Sequence, residues 1–303
     1  MDALLRAINQ PETIRIVAAT TSDAVREACR RQRATGAEAI ALGRAMTAGV
    51  LLATFAKRER ERVRIQLMGD GSVAQVIADA HGDGRVRACI VHRDEAQPDA
   101  SPAPVPEVDG RPSTAAVIGR SGQVVVTRDL GMARPYQGSV DLRSGEVDED
   151  LEHYLDHSEQ LPTVLRAEVV LGSDGRVLRA AGVLVQSFPG SPPELLLPPH
   201  ARLAGDSLRT LLAAHDREPE QLVGLALGGE AFRTMLENPV RFHCPCGPER
   251  ALSVLATLGA ADLESLADER EQTEVGCNFC GQTTLVSAPQ LRALAQRLRS
   301  GQS

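Results

Sequence analysis

Four cysteines stand in two close pairs near the end of the chain, as C-x-C at Cys244 and Cys246 and as C-x-x-C at Cys277 and Cys280. Thiolates this close together around a tight turn reach the same ion, and two such pairs complete a tetrahedron of four sulfurs. The chain of 303 residues has only six cysteines in all, so two tight pairs are unexpected by chance. The spacing therefore predicts a site for one zinc ion.

The predicted site leaves no coordination position for a substrate. Four thiolates fill the shell of zinc, whereas a catalytic zinc keeps one position open for water or substrate. His243 beside Cys244 is a further candidate ligand, but a complete four-sulfur shell does not need it. A redox role remains compatible, because thiolates held by zinc are deprotonated and can be attacked by oxidants.

The spacer between the two pairs is acidic. We expect it to form two short helices, separated by Gly259, and residues 247–276 carry seven acids against two arginines. This local charge of −5 repels phosphate, and the net charge of the whole chain is −7. Aromatic residues make up 2% of the sequence, which also disfavours stacking on single-stranded nucleic acid. We therefore expect no nucleic-acid partner.

The remaining sequence predicts an α+β fold. A strand at "TIRIVAAT" is followed by two helices, of which the second contains the most apolar stretch, 45–56. That stretch is too short to span a bilayer, so we expect a buried helix and no membrane association. Beyond residue 63, alternating apolar residues and Gly-Asp-Gly turns predict strands. A Pro-rich stretch, 94–113, is expected to be a surface loop, and "SGEVDEDLEHYLDHSEQ" a helix with acids in its first turn.

Composition divides the chain into three parts. We expect an N-terminal α+β domain over 1–187, a linker with marginal helices over 188–240, and a small cysteine-containing domain over 241–303. Short helices interrupted by Gly and Pro have little stability of their own. The N-terminus has neither the apolar core nor the cleavage site of a signal peptide. A reducing cytoplasm is therefore expected, where stable disulfides are rare.

Other patterns suggest chemistry but have simpler interpretations. "GDGSVA" at 69–74 fits the outline of a dinucleotide-binding turn. The helix after it would be barely two turns long, so a turn between two strands is favoured. His153 and His157 are interpreted as a solvated helix face. Cys29 on a helix and Cys89 in a strand are interpreted as small buried hydrophobes.

Neither the basic runs of the sequence nor a search for catalytic motifs predicts a further function. The runs at 30–33 and 56–64 are interpreted as a solvated helix end and a solvated loop. The sequence contains neither a phosphate-cradling G-x-x-x-x-G-K-S/T loop nor a G-x-S-x-G elbow. No pattern places a nucleophile beside a base, so we do not expect an enzyme.

Six segments of the sequence together carry a resemblance to a known family: "HCPCGPERALSVLATLG", "TEVGCNFCG", "ALGRAMTAGVLLA", "MGDGSVAQVIADAHGDGRVRA", "PYQGSVDLRSGEVDEDLEHYLDHSEQLPT" and "AAGVLVQSFPG". Through them the chain resembles the redox-regulated 33-kDa heat-shock chaperone family over nearly its full length. It implies an ATP-independent cytoplasmic holdase with an α+β N-terminal domain, a metastable helical linker and a C-terminal zinc domain. In the reduced form, the four thiolates would hold zinc and the protein would be inactive.

The same resemblance implies a switch. Oxidation would form the disulfides Cys244–Cys246 and Cys277–Cys280, zinc would leave, and the linker and zinc domain would unfold. The oxidised form would bind unfolding client proteins, typically as a homodimer. Pro245, whose ring fixes φ at roughly −65°, and the absence of aromatic residues in "GQTTLV" depart from the family pattern.

Two alternatives to this switch stay open at the level of sequence. One is a constitutive zinc-stabilised scaffold or nucleic-acid adaptor without a redox switch. The other is a dinucleotide-dependent oxidoreductase built on 63–94. No motif identifies the residues that would contact clients, because a holdase surface is diffuse.

Overall fold

The computed structural model describes residues 1–54, 61–93, 105–132, 134–214 and 218–301. The helices within them are α1 (Ser22–Gln32), α2 (Gly36–Ala53), α3 (Ala115–Ile118), α4 (Val147–His157), α5 (Leu197–Leu203), α6 (Ser207–Ala214), α7 (Pro219–Leu227), α8 (Pro248–Leu255), α9 (Ala260–Glu269) and α10 (Ala288–Arg299). The strands are β1 (Ala3–Asn9), β2 (Ile14–Thr20), β3 (Arg62–Gly69), β4 (Val73–His81), β5 (Arg85–His92), β6 (Glu107–Val108), β7 (Arg111–Pro112), β8 (Gly122–Asp129), β9 (Tyr136–Asp141), β10 (Thr163–Leu171), β11 (Val177–Ser187), β12 (Phe232–Pro239), β13 (Arg241–Phe242), β14 (Gln272–Gly276) and β15 (Thr283–Ser287).

The chain forms two compact units, Met1–His243 and Cys244–Ser303. The first unit contains a five-stranded sheet of order β10-β11-β2-β1-β12 and a six-stranded sheet of order β13-β5-β4-β3-β8-β9. Neighbouring strands in both sheets are antiparallel, except that β13 runs parallel to β5. The α+β fold class is confirmed, and so are the strands predicted beyond residue 63.

Helix α2 lies between the two sheets. It contacts β10 and β11 of one sheet and β4 and β5 of the other, and sixteen of its 18 residues are buried. A helix that is apolar on all sides is stable only when it is enclosed, so the predicted buried helix is confirmed. Within the described residues it is also the one helix long and apolar enough to cross a membrane. Gly43 allows close packing, since a Cβ there would lie 2.7 Å from Cγ2 of Val169.

Arg44 places a fully buried charge inside this helix. Its guanidinium donates to Glu146 at 3.0 Å and to Glu168 at 2.8 Å. Glu168 also accepts from Arg111 at 3.1 Å, and Arg111 donates to Asp148 at 2.6 Å. Burial opposes ionisation of Asp148, but Arg111 and Arg44 outweigh it and lower the pKa of this carboxyl to about 2. The ion network therefore ties α2 to α4, β7 and β10.

The Pro-rich stretch 94–113 departs from the prediction of a surface loop. Residues 94–104 lie outside the described residues, but β6 and β7 form a short hairpin with positive φ at Asp109 and Gly110. Arg111 after this turn is only 8% exposed. The prediction of a surface loop is wrong for this end of the segment, because Arg111 is buried together with the acidic side chains that it pairs with.

The segment 188–240 covers the face of the five-stranded sheet opposite α2. Helices α5, α6 and α7 have only seven, eight and nine residues. They form a second apolar cluster with the sheet, in which Leu203 and Leu222 from the helices meet Ile16 and Val183 from the strands. Short helices are therefore present, as expected, while their metastability stays a prediction.

Two strands of this sheet were not predicted. Strand β12 lies within 188–240, where only helices were expected, and β1 precedes the first predicted strand. They pair with each other over Ala3–Asn9 and Phe232–Pro239, and β1 also pairs with β2. These pairings use main-chain groups, and most of the β12 side chains are exposed. The sequence of β12 therefore lacks the alternation of buried apolar residues by which a strand is predicted.

The stretch "GDGSVA" is a turn between strands β3 and β4, as favoured from the sequence. Gly69 is required by packing, since a Cβ there would lie 1.9 Å from the carbonyl oxygen of Ile118. At Gly71 a Cβ would lie 2.1 Å from the carbonyl oxygen of Val117. The dinucleotide-binding alternative is therefore wrong, because no helix follows this turn and another segment fills the space beside it.

Replacing Arg44 by methionine should strongly destabilise the first unit. Glu146 and Glu168 would keep their buried carboxylates without this partner, which costs about 3–5 kcal/mol in comparable networks. Urea unfolding followed by circular dichroism measures the loss. The control is Arg176→Met, because Arg176 is 80% exposed and such surface changes stay within about 0.5 kcal/mol. A loss below about 1 kcal/mol for Arg44→Met would contradict the role assigned to the network.

Candidate metal centre

The second unit supports the cysteines on a small scaffold of its own. It contains α8, α9 and α10 and the antiparallel hairpin β14–β15. Its core includes Leu263 and Leu291, both fully buried. The two predicted spacer helices are confirmed as α8 and α9, which Gly259 separates with φ +91°. Helix α10, which completes this core, was not predicted.

A tight turn between β14 and β15 holds the second cysteine pair. The N–H of Gly281 donates to the carbonyl of Cys277 at 2.8 Å, and the N–H of Cys277 donates to the carbonyl of Gln282 at 3.0 Å. Gly281 has φ +69°, in the left-handed region that glycine adopts without strain. The turn therefore directs Cys277 and Cys280 toward one point.

The four sulfurs form one cluster. Cys244 and Cys246 lie directly before α8, and all four Sγ atoms are within 4.8 Å of one another. The contacts between the pairs are 3.6 Å for Cys244–Cys277 and 3.0 Å for Cys246–Cys280. A zinc–sulfur distance of about 2.3 Å in a tetrahedron separates the sulfurs by about 3.8 Å. The cluster therefore fits zinc, while its metal content stays a prediction.

Burial and hydrogen bonding act differently on the individual thiols. Burial raises the pKa of Cys246, and contacts with Cys280 and Cys244 add to the effect. Burial acts in the same direction at Cys277, but the backbone N–H groups of Cys280 and Phe279 outweigh it and lower the pKa of that thiol. A thiol with a lower pKa ionises more readily, and the thiolate is the form that binds metal.

Gln282 is the neighbour of the site that sequence reasoning missed. Its Oε1 lies 3.3 Å from Sγ of Cys246, and its main-chain carbonyl closes the turn at Cys277. The sequence pointed to Gln282 only through its position directly after Gly281, in the stretch "GQTTLV" that lacks the expected aromatic residues. The backbone N–H of His243, by contrast, donates to the Val86 carbonyl in the first unit at 2.9 Å.

The other candidate residues lie elsewhere. The four-cysteine cluster, which does not include His243, is the one metal-capable group found among the described residues. His153 and His157 have ring centroids 4.0 Å apart on α4, and the side chain of His157 is half exposed. Cys29 and Cys89 are buried, as predicted. Burial raises the pKa of Cys29 to about 12, which makes it a poor nucleophile.

Removing one cysteine should abolish tight zinc binding. We expect one zinc ion per reduced chain, and we expect Cys280→Ala to weaken binding by more than the roughly 100-fold that loss of a group outside the ligand shell can cause. Zinc content after gel filtration and competition with a chromogenic chelator measure this change. Cys29→Ala is the matched control, since that thiol is buried in the first unit. Unchanged zinc affinity in Cys280→Ala would refute the predicted ligand set.

Comparison with known proteins gives a consistent result. A family model described as "Hsp33 protein" matches residues 2–287. A 33 kDa chaperonin from Syntrophotalea carbinolica is 34% identical over 293 residues, which cover 97% of this chain and 99% of the relative. The 33 kDa chaperonin of Bacillus subtilis is 31% identical over 300 residues, with 97% and 98% covered.

A solved structure extends the similarity to three dimensions. The crystal structure of the 33 kDa chaperonin, or heat shock protein 33 homolog, from Thermotoga maritima matches with a TM-score of 0.82 at 25% identity. The match covers 97% of each chain. The family model and the relatives span nearly the whole sequence, from the first strand to the cysteine pairs. The chain belongs to the Hsp33 chaperone family.

Proposed function

We propose that this protein is a redox-regulated, ATP-independent holdase of the cytoplasm. Its reduced form holds one zinc ion through Cys244, Cys246, Cys277 and Cys280 and is inactive. Oxidation of these cysteines releases the ion, unfolds 188–240 and the second unit, and exposes a surface for unfolding client proteins. The oxidised form acts as a homodimer. The observation that carries this proposal is the four-sulfur cluster within a small unit of an Hsp33 family chain.

The stability of the second unit supports metal control. Its core consists of nine buried apolar residues in a unit of about 60 residues, a size at which domains bury proportionally little surface and are marginally stable. Structural zinc contributes on the order of 10 kcal/mol to the folding of such units. Loss of the thiolate ligands therefore removes a large share of the stability of this unit.

The chemistry of the switch balances with peroxide as oxidant. We assign the disulfides to Cys244–Cys246 and Cys277–Cys280, as the family resemblance implies. In each pair, two thiolates give up two electrons and one S–S bond forms. One hydrogen peroxide takes up these electrons with two protons and becomes two waters. A sulfur in a disulfide is no longer the thiolate that binds the metal.

The helices of 188–240 hide an apolar surface. The sheet face beneath α5, α6 and α7 is built from Leu5, Ala7, Ile14, Ile16, Ala18, Val164, Ala181, Val183 and Val185. Helices of seven to nine residues are marginal without tertiary contacts. We propose that they detach once the second unit unfolds. A contiguous aliphatic face of this kind marks a protein-binding surface when it is exposed, and apolar contacts, which are non-directional, suit clients of varied sequence.

Peroxide treatment should release zinc and switch on holdase activity together. The measurements are zinc release into a chromogenic chelator and light scattering from a heat-denatured client enzyme, with no nucleotide added. Limited proteolysis of the oxidised chain should cut within 188–288. Zinc retention with unchanged activity would instead support a constitutive zinc-stabilised scaffold, and the proposed switch would be wrong.

Weakening the helical cover should activate the protein without oxidation. Leu222 on α7 is fully buried in the second cluster, and Leu→Ala changes at such positions cost about 3–5 kcal/mol. We expect reduced Leu222→Ala to suppress client aggregation while it retains one zinc ion. Leu151→Ala, which creates a comparable cavity in the first cluster beneath α4, is the matched control. If the reduced Leu222 variant is no more active than this control, α5–α7 do not hide the client surface.

A further inference from the structure

A cavity of about 460 Å³ lies beside the polar face of α4 in the first unit. Its other walls include Thr163 and Val164 at the start of β10 and Leu197 and His200 on α5. The lining residues fall between 143 and 200, inside one continuous described range. The volume is within the range of about 300–1,000 Å³ that is typical of small-molecule sites, so a metal ion with bound water has room there.

The polar face of α4 presents side chains that can ligate a metal. Five of them line the cavity at helical spacing, namely Glu149, Glu152, His153, Asp156 and His157. Residues three and four apart lie on the same face of a helix, which places the two imidazoles one turn apart. Histidine is the commonest metal ligand in proteins, and imidazole suits zinc, nickel and copper. The face therefore carries the donor type of a transition-metal site.

The rings of His153 and His157 lie close enough to share one ion. Their centroids are 4.0 Å apart and their planes meet at 67°. Two nitrogens bound to one zinc ion at about 2.1 Å are separated by about 3.4 Å in a tetrahedron. Ring nitrogens lie at the ring edges, so small side-chain rotations bring one nitrogen of each ring to that separation.

His153 has a buried nitrogen without a partner. Its Nδ1 is shielded from solvent and makes no hydrogen bond within the part of the chain that the structure describes. Buried polar atoms are almost always paired, and an unpaired one calls for a ligand or a functional explanation. The solvated helix face favoured from the sequence would leave this nitrogen in contact with water, whereas a bound metal ion gives it a partner.

His157 has the carboxylate contact that is typical of a metal ligand. Its Nδ1 lies 3.4 Å from Oδ2 of Asp156, and its Nε2 has no partner among the described residues. Histidines that bind metals usually donate the other ring N–H to a carboxylate, which fixes the tautomer and leaves one nitrogen for the metal. The side chain is 51% exposed, so an ion can reach it from solution.

The charges around the pair favour a cation. Three carboxylates line the cavity besides that of Glu152, namely those of Glu149, Asp150 and Asp156. Glu152 is already paired with Arg166 at 2.7 Å. Among the described lining residues only Arg143 carries a guanidinium, so the three carboxylates leave a formal excess of two negative charges. Such an excess attracts a divalent cation to the wall that holds the imidazoles.

We infer that His153 and His157 bind one divalent transition-metal ion at this cavity, separate from the four-cysteine cluster. The cluster remains the one group of three or more clustered donors among the described residues, so the second site has two protein ligands and takes water in its other positions. Nitrogen ligands select zinc, nickel or copper over magnesium and calcium, which prefer oxygen. The positions held by water make this ion exchangeable, unlike an ion within a closed four-sulfur shell.

Nickel is the probe that tests this site, because it binds imidazole and can be counted separately from zinc. The reduced, untagged, full-length chain is dialysed against Ni²⁺ at pH 7.5, and elemental analysis gives both metals per chain. We expect saturation at one nickel ion per chain with the zinc content unchanged. Nickel uptake matched by an equal loss of zinc would place nickel at the cysteines and overturn the proposal. Absence of saturable uptake would overturn it as well.

A histidine variant separates a built site from scattered binding to surface imidazoles. His157→Ala should weaken nickel binding by about tenfold or more, since even a group outside the ligand shell contributes about 10–100-fold. His92→Ala is the matched control, because His92 belongs to the same unit, is 32% exposed and has its Nε2 engaged by Glu38 at 3.0 Å. An equal loss in the control would show scattered binding and refute the site.

A second variant shows whether the two imidazoles act together. His153→Gln should weaken nickel binding as much as His157→Ala does, and the double variant should lose little more, because removing one ligand already breaks the chelate. Thermal unfolding gives an independent readout, since nickel should raise the melting temperature of the unmodified chain and of neither variant. Losses that add in the double variant would indicate two independent imidazoles and contradict the proposal.

Discussion

The guanidinium of Arg44 must be paired, because it lies at the centre of an apolar helix enclosed by two sheets. An isolated charge in such a place costs several kcal/mol. Its partners Glu146 and Glu168 come from the start of α4 and from β10. Arg111 then joins the same network from the far end of the Pro-rich segment. One buried charge thus fixes how three distant segments meet around α2.

The three apolar clusters differ in what maintains them. The cluster around α2 is enclosed by both sheets and has the most buried residues. The cluster beneath α5–α7 rests on three short helices laid on one sheet face. The cluster of the second unit is the smallest, and beside it lie the four sulfurs. Under the proposed function, a chemical change at the sulfurs would act first on the second unit, which has the smallest of the three clusters.

Local features were predictable from sequence and long-range partners were not. The Gly-Asp-Gly turns, the alternating strands and the cysteine spacing report on neighbouring residues, and the structure agrees with them. Arg111 looked like part of a surface loop because its partner Asp148 lies 37 residues further along. Strand β12 escaped notice because β1, with which it pairs, is more than 200 residues away.

Strand β12 occupies the edge of the five-stranded sheet, next to β1. The chain between α7 and the first cysteine pair runs through this strand, so unfolding that reached it would make β1 the new edge. An exposed edge presents a row of main-chain N–H and C=O groups to any extended peptide. Recognition by strand addition depends on the backbone more than on side chains. Clients of unrelated sequence would then share one mode of attachment, supplied by the peptide bond itself.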